Sequence, residues 1–392
     1  MSRRFLSLQS ICLLAALAFV GCVPLFAQSN TATLELADGS QKLVVPKMHK
    51  GIGAGPAQGS AVKLVATPGI AFYTTNYTSL GVKPVPFSII GTDPSLGAST
   101  TIIPTVIVPL KFIFPNPGNP SLDGTNVTPA TENSPLFLTA DYTFNGVDLG
   151  TTQYGDAVQR GEFWNLPGFS SAGYHVLLGT PMIASTVTIT VPAGKGNAFA
   201  LKNGLVGVLA DSYFEGTVLA GLLPSYSANM LPIFVTDNVF LSNDGGLSTC
   251  CVLGFHNSQG PPISTAQTWI YAAYTEPGTF GGNVILDVQP LSHEVSEWLN
   301  DPFVGAFPFG INLVAPYVLP GQGGLCQVNF ETGDVLEAPP VVFTKTTNGT
   351  LYHLQDEAFI TYFLRSVPSF SENGFYSLIG TFTKPDQLCG PG

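Results

Sequence analysis

The chain has 392 residues, of which 10% are charged; its formal net charge is -11, and it carries 43 Gly and 32 Pro. That length accommodates one large domain or two ordinary ones and does not limit the core. The acidic balance argues against nucleic acid and anionic membranes as partners, and the many turn-forming residues describe a loop-rich globular protein.

In chain order, Arg3 and Arg4, the apolar run from Ile11 to Val20 and Ala27 just before Gln28 spell a secretory signal peptide over residues 1–27. Phe19-Val20-Gly21-Cys22 has the look of a lipoprotein cleavage site, which makes a lipid anchor at Cys22 the lesser alternative. The run is too short to span a membrane, and no later stretch offers about twenty uninterrupted apolar residues. The expected product has no transmembrane segment and is secreted or periplasmic, its oligomeric state left open.

Residues 28–85 mix polar patches with Gly and Pro without a sustained period and read as a loosely ordered leader; one main domain is expected over 86–392. Strands are expected at 101–114, 174–180, 185–191, 231–241 and 268–274, from β-branched runs and alternation. Helices are expected at 152–164, 204–221, 288–299 and 354–366, from apolar residues spaced three to four apart. The fold class is therefore α+β, a mixed sheet with a few helices.

The chemistry is concentrated in Ser292-His293-Glu294-Val295-Ser296-Glu297-Trp298-Leu299-Asn300-Asp301-Pro302. His293 and Glu297 are four apart and so share one face of a helix. This is metal-ligand spacing. In HExxH zinc peptidases two residues at this spacing hold the ion, and the intervening Glu, here Glu294, is the general base. Glu297 stands where the second histidine would be; a carboxylate also ligates zinc and tilts the preference toward harder metals. Ser292 suits a helix start and Asp301-Pro302 a helix stop. The bland alternative is a solvated helix face that binds nothing.

Two further places offer ligands. His256 follows a β-type segment in Gly254-Phe255-His256-Asn257, and Glu331 or Asp334 flank a glycine in Phe330-Glu331-Thr332-Gly333-Asp334. Taken alone, the first is an ordinary polar histidine and the second an acidic turn. Beyond the signal the cysteines are Cys250, Cys251, Cys326 and Cys389, for which an exported protein makes disulfides the default. Their three pairings stay open. A bridge from Cys250 or Cys251 to Cys326 would pin both ligand loops beside the helix; a purely structural staple and a vicinal Cys250–Cys251 bridge are the other readings.

In order, CCVLGFHN, SHEVSEWLNDP, GLCQVNFETGD and YHLQDEAF resemble an uncharacterised group of secreted proteins abundant in soil bacteria, with GxH, SHExxE followed by DP, and ExGD motifs. The resemblance extends more loosely to TQYGDAVQRGEFWN and covers most of the chain after about residue 85. More distantly, GxH with HExxE is similar to plant Exordium-type (phosphate-induced) proteins and to bacterial peptidase-like proteins. It implies a zincin-like site with His256, His293, Glu297 and Glu331 as ligands and Glu294 as base. Asp334 is the alternative to Glu331, and Asp301 is placed to orient a ligand histidine. ETGDVLE departs from the group's form but keeps the acidic turn.

These readings converge on a metal-dependent hydrolase, zinc peptidase-like, acting on a polypeptide or another extracellular substrate. Four protein ligands would instead close a tetrahedral sphere, which is the mark of a structural site. The alternative is thus a binding or cell-envelope protein with structural Zn2+ or Ca2+. No GxSxG elbow, Walker loop or strand-linked GxGxxG occurs, which sets aside serine-hydrolase and nucleotide chemistry.

Overall fold

Pro104, which has no amide hydrogen to give a ladder, separates strand Ser99–Ile103 from strand Thr105–Ile113, so the single run expected over 101–114 is two strands. In the computed structural model, residues 31–47, 69–77, 85–260, 263–304, 313–319, 325–337, 340–386 and 389 are described. The signal peptide expected over residues 1–27 lies outside them. Among them no helix is long and apolar enough to cross a membrane.

Thr105–Ile113 belongs to a seven-stranded sheet in which Met182–Ile183, Thr105–Ile113, Leu231–Asp237, Gln267–Tyr274 and Gly254–Gln259 lie side by side in that order. The first four run parallel, and Gly254–Gln259 closes the edge antiparallel to Gln267–Tyr274. Val187–Thr190 and Ser121–Asp123 pair with the far end of Thr105–Ile113. Side chains alternate between the faces. Ile107, Ile233 and Ile270 enter one core with the helices Tyr154–Phe163 and Gln289–Asn300. Val108, Phe234 and Tyr271 enter a second core with Phe112 and Phe214. Cover on both faces is why these strands read as continuous apolar runs. The α+β class expected from the sequence is observed.

Three further expected elements change. The run 231–241 breaks at Asn238, whose φ of 49° ends Leu231–Asp237 and sends Val239–Ser242 into a separate three-stranded sheet. Asn tolerates this left-handed conformation better than most residues. Residues 204–221, expected as one helix, are strand Gly204–Ala210 followed by helical turns from Asp211; pairing with Gly196–Leu201 and Val239–Ser242 overrides the helical spacing. Residues 354–366 begin as the end of strand Thr350–Gln355, and only Ile360–Leu364 is helical.

Within the expected leader, Ala32–Glu35 and Gln41–Val44 form a hairpin that buries Leu34 and Val44 against Phe240 and Leu253. Its continuation is tied in by backbone bonds, Lys47 N to Cys251 O at 2.8 Å and Leu253 N to Lys47 O at 2.8 Å. This part of 28–85 is folded onto the body because its alternating apolar side chains complete a core there.

The disulfides are Cys250–Cys251 and Cys326–Cys389. A bridge between the His256 strand and the acidic turn is not formed, since Cys326 meets Cys389 with a Cα–Cα distance of 6.1 Å, within normal bridging range. Two disulfides are compatible with an extracellular protein.

All twelve residues of Gln289–Asn300 are buried. Leu291, Val295 and Leu299, at successive turns, fill the first core together with Trp298. Gly155 marks the crossing of the two helices, because a Cβ there would stand 2.6 Å from Leu299 Cδ1. Anchored this way on its apolar face, the helix turns His293, Glu294 and Glu297 into the interior, where bare charge is costly.

Candidate metal centre

His256 reaches the helix because Gly254–Gln259 alternates: Phe255 enters the second core, while His256, paired with Ile270, faces the motif helix. Its Nε2 lies 3.0 Å from the main-chain oxygen of Asp301. A carbonyl only accepts, so Nε2 carries the proton, and Nδ1 is turned toward Glu294 Oε2 at 3.1 Å and Glu297 Oε2 at 3.8 Å. The expected orienting role of Asp301 is thus filled by its backbone. The segment after the helix is held to the same strand by Ser258 N, which donates to Val304 O at 2.9 Å.

The acidic turn is fixed from several sides. Gly333 N donates to Glu297 Oε1 at 2.9 Å, Gln355 Nε2 donates to Gly333 O at 2.8 Å, and Gln355 N donates to Ser292 Oγ at 3.0 Å. Ser292, expected as a helix start, is instead a clamp between the helix and strand Thr350–Gln355. Gln327 Nε2 donates to Asp334 Oδ2 at 2.9 Å, leaving Oδ1 buried without a hydrogen bond and 3.8 Å from His293 Nε2. His293 Nε2 also lies 3.1 Å from Glu297 Oε2.

Two sets of donor atoms follow. Those of His256, Glu297 and Glu331 lie within 4.8 Å of one another, as do those of His293, Glu297 and Asp334. Both sets are buried, and Glu297 belongs to both. Glu294 belongs to neither; its Oε2 meets His256 and its Oε1 has no hydrogen-bond partner. The structure therefore brings His256, His293, Glu297, Glu331 and Asp334 together, with Glu294 beside them.

Glu357, inside the helix expected over 354–366, also lies here. The helix begins only at Ile360, and Glu357 is fully buried with Oε2 close to the Gly333 and His293 ring contact. Its signal was YHLQDEAF, where the acidic pair directly follows a strand that enters the core.

Electrostatically the pocket is crowded with anions. Burial raises Glu294, Glu331 and Glu357 well above the ordinary carboxylate range, and neighbouring carboxylates add to each shift. Burial and Glu297 push Asp334 up to about 8. Burial disfavours charged His293, yet Glu297 and its neighbours hold it well above an ordinary histidine. Such a group needs protons or a cation to stay buried. Imidazole and carboxylate donors at these separations fit a divalent metal ion. A buried His/Glu/Asp group that could bind a metal is thus present.

Comparison with known protein families, curated proteins and solved structures gives no significant match.

Proposed function

We propose that this protein is a metal-dependent hydrolase, zinc peptidase-like, that uses Glu294 as general base. The carrying observation is the division of labour along one helix: His293 and Glu297 fall within metal-binding groups, while Glu294 lies beside both groups and in neither. Bound metal would polarise the scissile carbonyl and lower the pKa of water at the site. Residues of these groups, His256, His293, Glu297, Glu331 and Asp334, would hold it, and Glu294 Oε1, which has no hydrogen-bond partner, is left to accept a proton. Zinc suits the mixed nitrogen and oxygen donors. The resemblance to secreted bacterial proteins, the signal sequence and the two disulfides support an extracellular substrate, with polypeptide the leading class.

One observation favours a second reading. His293, Glu294, Glu297, Glu331 and Asp334 are all 0% exposed, as ligands of a structural centre would be. Elemental analysis of the purified protein, with Glu294→Gln and His293→Ala assayed on a protein-substrate panel, separates the two. The hydrolase reading expects bound zinc, diminished in His293→Ala, and activity abolished with zinc retained in Glu294→Gln. Stoichiometric metal without activity in any form would establish the structural reading, and absence of metal would overturn both.

A further inference from the structure

The sequence motifs suggest four ligands around one ion, but the two histidines fall in different donor groups. With zinc–ligand distances of about 2.0–2.2 Å, donors of one ion stand within roughly 4.4 Å of each other. No group within 4.8 Å among the described residues contains both His256 and His293. Each group has one imidazole, one carboxylate of its own, and Glu297. The Glu297 side chain is fixed for sharing: Oε1 is held by Gly333 N at 2.9 Å, and Oε2 lies 3.1 Å from His293 Nε2 and 3.8 Å from His256 Nδ1.

We propose that the centre holds two divalent cations, one on His256, Glu297 and Glu331 and the other on His293, Glu297 and Asp334, with the Glu297 carboxylate as the bridge. The proposal rests on the metal-centre reading and extends it. Two independent observations favour a second ion. Asp334 Oδ1 is fully buried, makes no hydrogen bond and lies 3.8 Å from His293 Nε2. The carboxylates of Glu294, Glu297, Asp301, Glu331, Asp334 and Glu357 are all 0% exposed. With all six ionised, one divalent ion would offset a third of the charge and two would offset two thirds. Carboxylate-bridged ions about 3.5–4 Å apart are a familiar hydrolytic arrangement, and one histidine with two carboxylates per ion suits Zn2+ or Mn2+.

The test is metal stoichiometry of the full mature protein, stripped with chelator and reloaded with Zn2+ or Mn2+, read by elemental mass spectrometry and titration calorimetry. Two ions per chain are expected, falling to one in Glu331→Gln and to one in Asp334→Asn, with circular dichroism confirming that each variant is folded. The Mn2+-loaded protein should show the electron paramagnetic resonance spectrum of a coupled pair. One ion in the wild type overturns the proposal but leaves the metal centre standing; none overturns both. Two ions with the six-line spectrum of isolated Mn2+ place the second elsewhere and also overturn it. If either variant fails to fold, the wild-type count and spectrum decide alone.

Discussion

A Cβ built on Gly333 would lie 2.3 Å from His293 Nδ1 and 2.5 Å from its Cε1. Gly333 has φ of -85°, a conformation open to any residue, so its lack of a side chain serves this approach and no backbone need. Gly333→Ala should displace the His293 ring, cost about 1–3 kcal/mol by overpacking, and weaken metal binding at least about tenfold. Chemical denaturation and competition with a chromogenic chelator measure both effects; unchanged affinity would refute the role of this contact.

Gly254 makes the parallel approach to the base, with its would-be Cβ 2.8 Å from Glu294 Cγ and 2.9 Å from Oε1. Gly254→Ala is expected to retain metal while turnover falls, because it moves Glu294 and neither donor group. Loss of metal in this variant would show that the two functions are not separable along the helix.

Metal removal should destabilise the fold, since the ion would neutralise buried carboxylates that the unfolded chain leaves in water. Binding at a thousand times Kd contributes about 4 kcal/mol. A chelator should therefore lower the Tm of the wild type by several degrees and leave that of the double variant His256→Ala/His293→Ala unchanged. Equal shifts in both would mean that the chelator acts elsewhere.

Glu162, buried in the helix Tyr154–Phe163, accepts from Ile360 N, and burial pushes its pKa up to about 8 from an ordinary 4.5. The folded state thus favours the protonated acid. This contribution is fully present below about pH 4.5 and is lost as pH rises through about 8. Glu162→Gln, which keeps an acceptor for Ile360, should gain stability over the wild type at pH 9 by a few kcal/mol, each pKa unit being about 1.4 kcal/mol. Denaturation midpoints at pH 5 and pH 9 give the comparison, and a constant difference between them would contradict the shift.

Cys326–Cys389 closes a separation of 63 residues and holds the hairpin of Leu313–Leu319 and Leu325–Asn329 that leads into the acidic turn. A chain-entropy argument assigns such a bridge about 4 kcal/mol. Cys389→Ser should lower stability by a similar amount and loosen Glu331 and Asp334, weakening metal binding as well. Calorimetric unfolding with and without metal separates the two losses.

The helix carrying the HExxE residues was legible in the sequence because its signals are local: a four-residue spacing puts His293 and Glu297 on one face whatever lies around them. The buried strands at Thr105–Ile113, Leu231–Asp237 and Gln267–Tyr274 were legible for the same reason, as β-branched and aromatic runs. Gly204–Ala210 was misread because spacing alone cannot distinguish a short apolar strand from a helix when the deciding partner, Val239–Ser242, lies some thirty residues on.

The amino-acid order by itself determined the donor types, the helix that presents them and the α+β class, all of which follow from neighbouring residues. Tertiary structure alone decided that Glu297 is common to two donor groups, that Glu357 lies beside them, and that Cys326 meets Cys389. Those are distances between segments far apart in the chain. They are set by how the strand of His256, the motif helix and the turn at Gly333 pack together, where burial turns ordinary carboxylates into a site that needs protons or a cation.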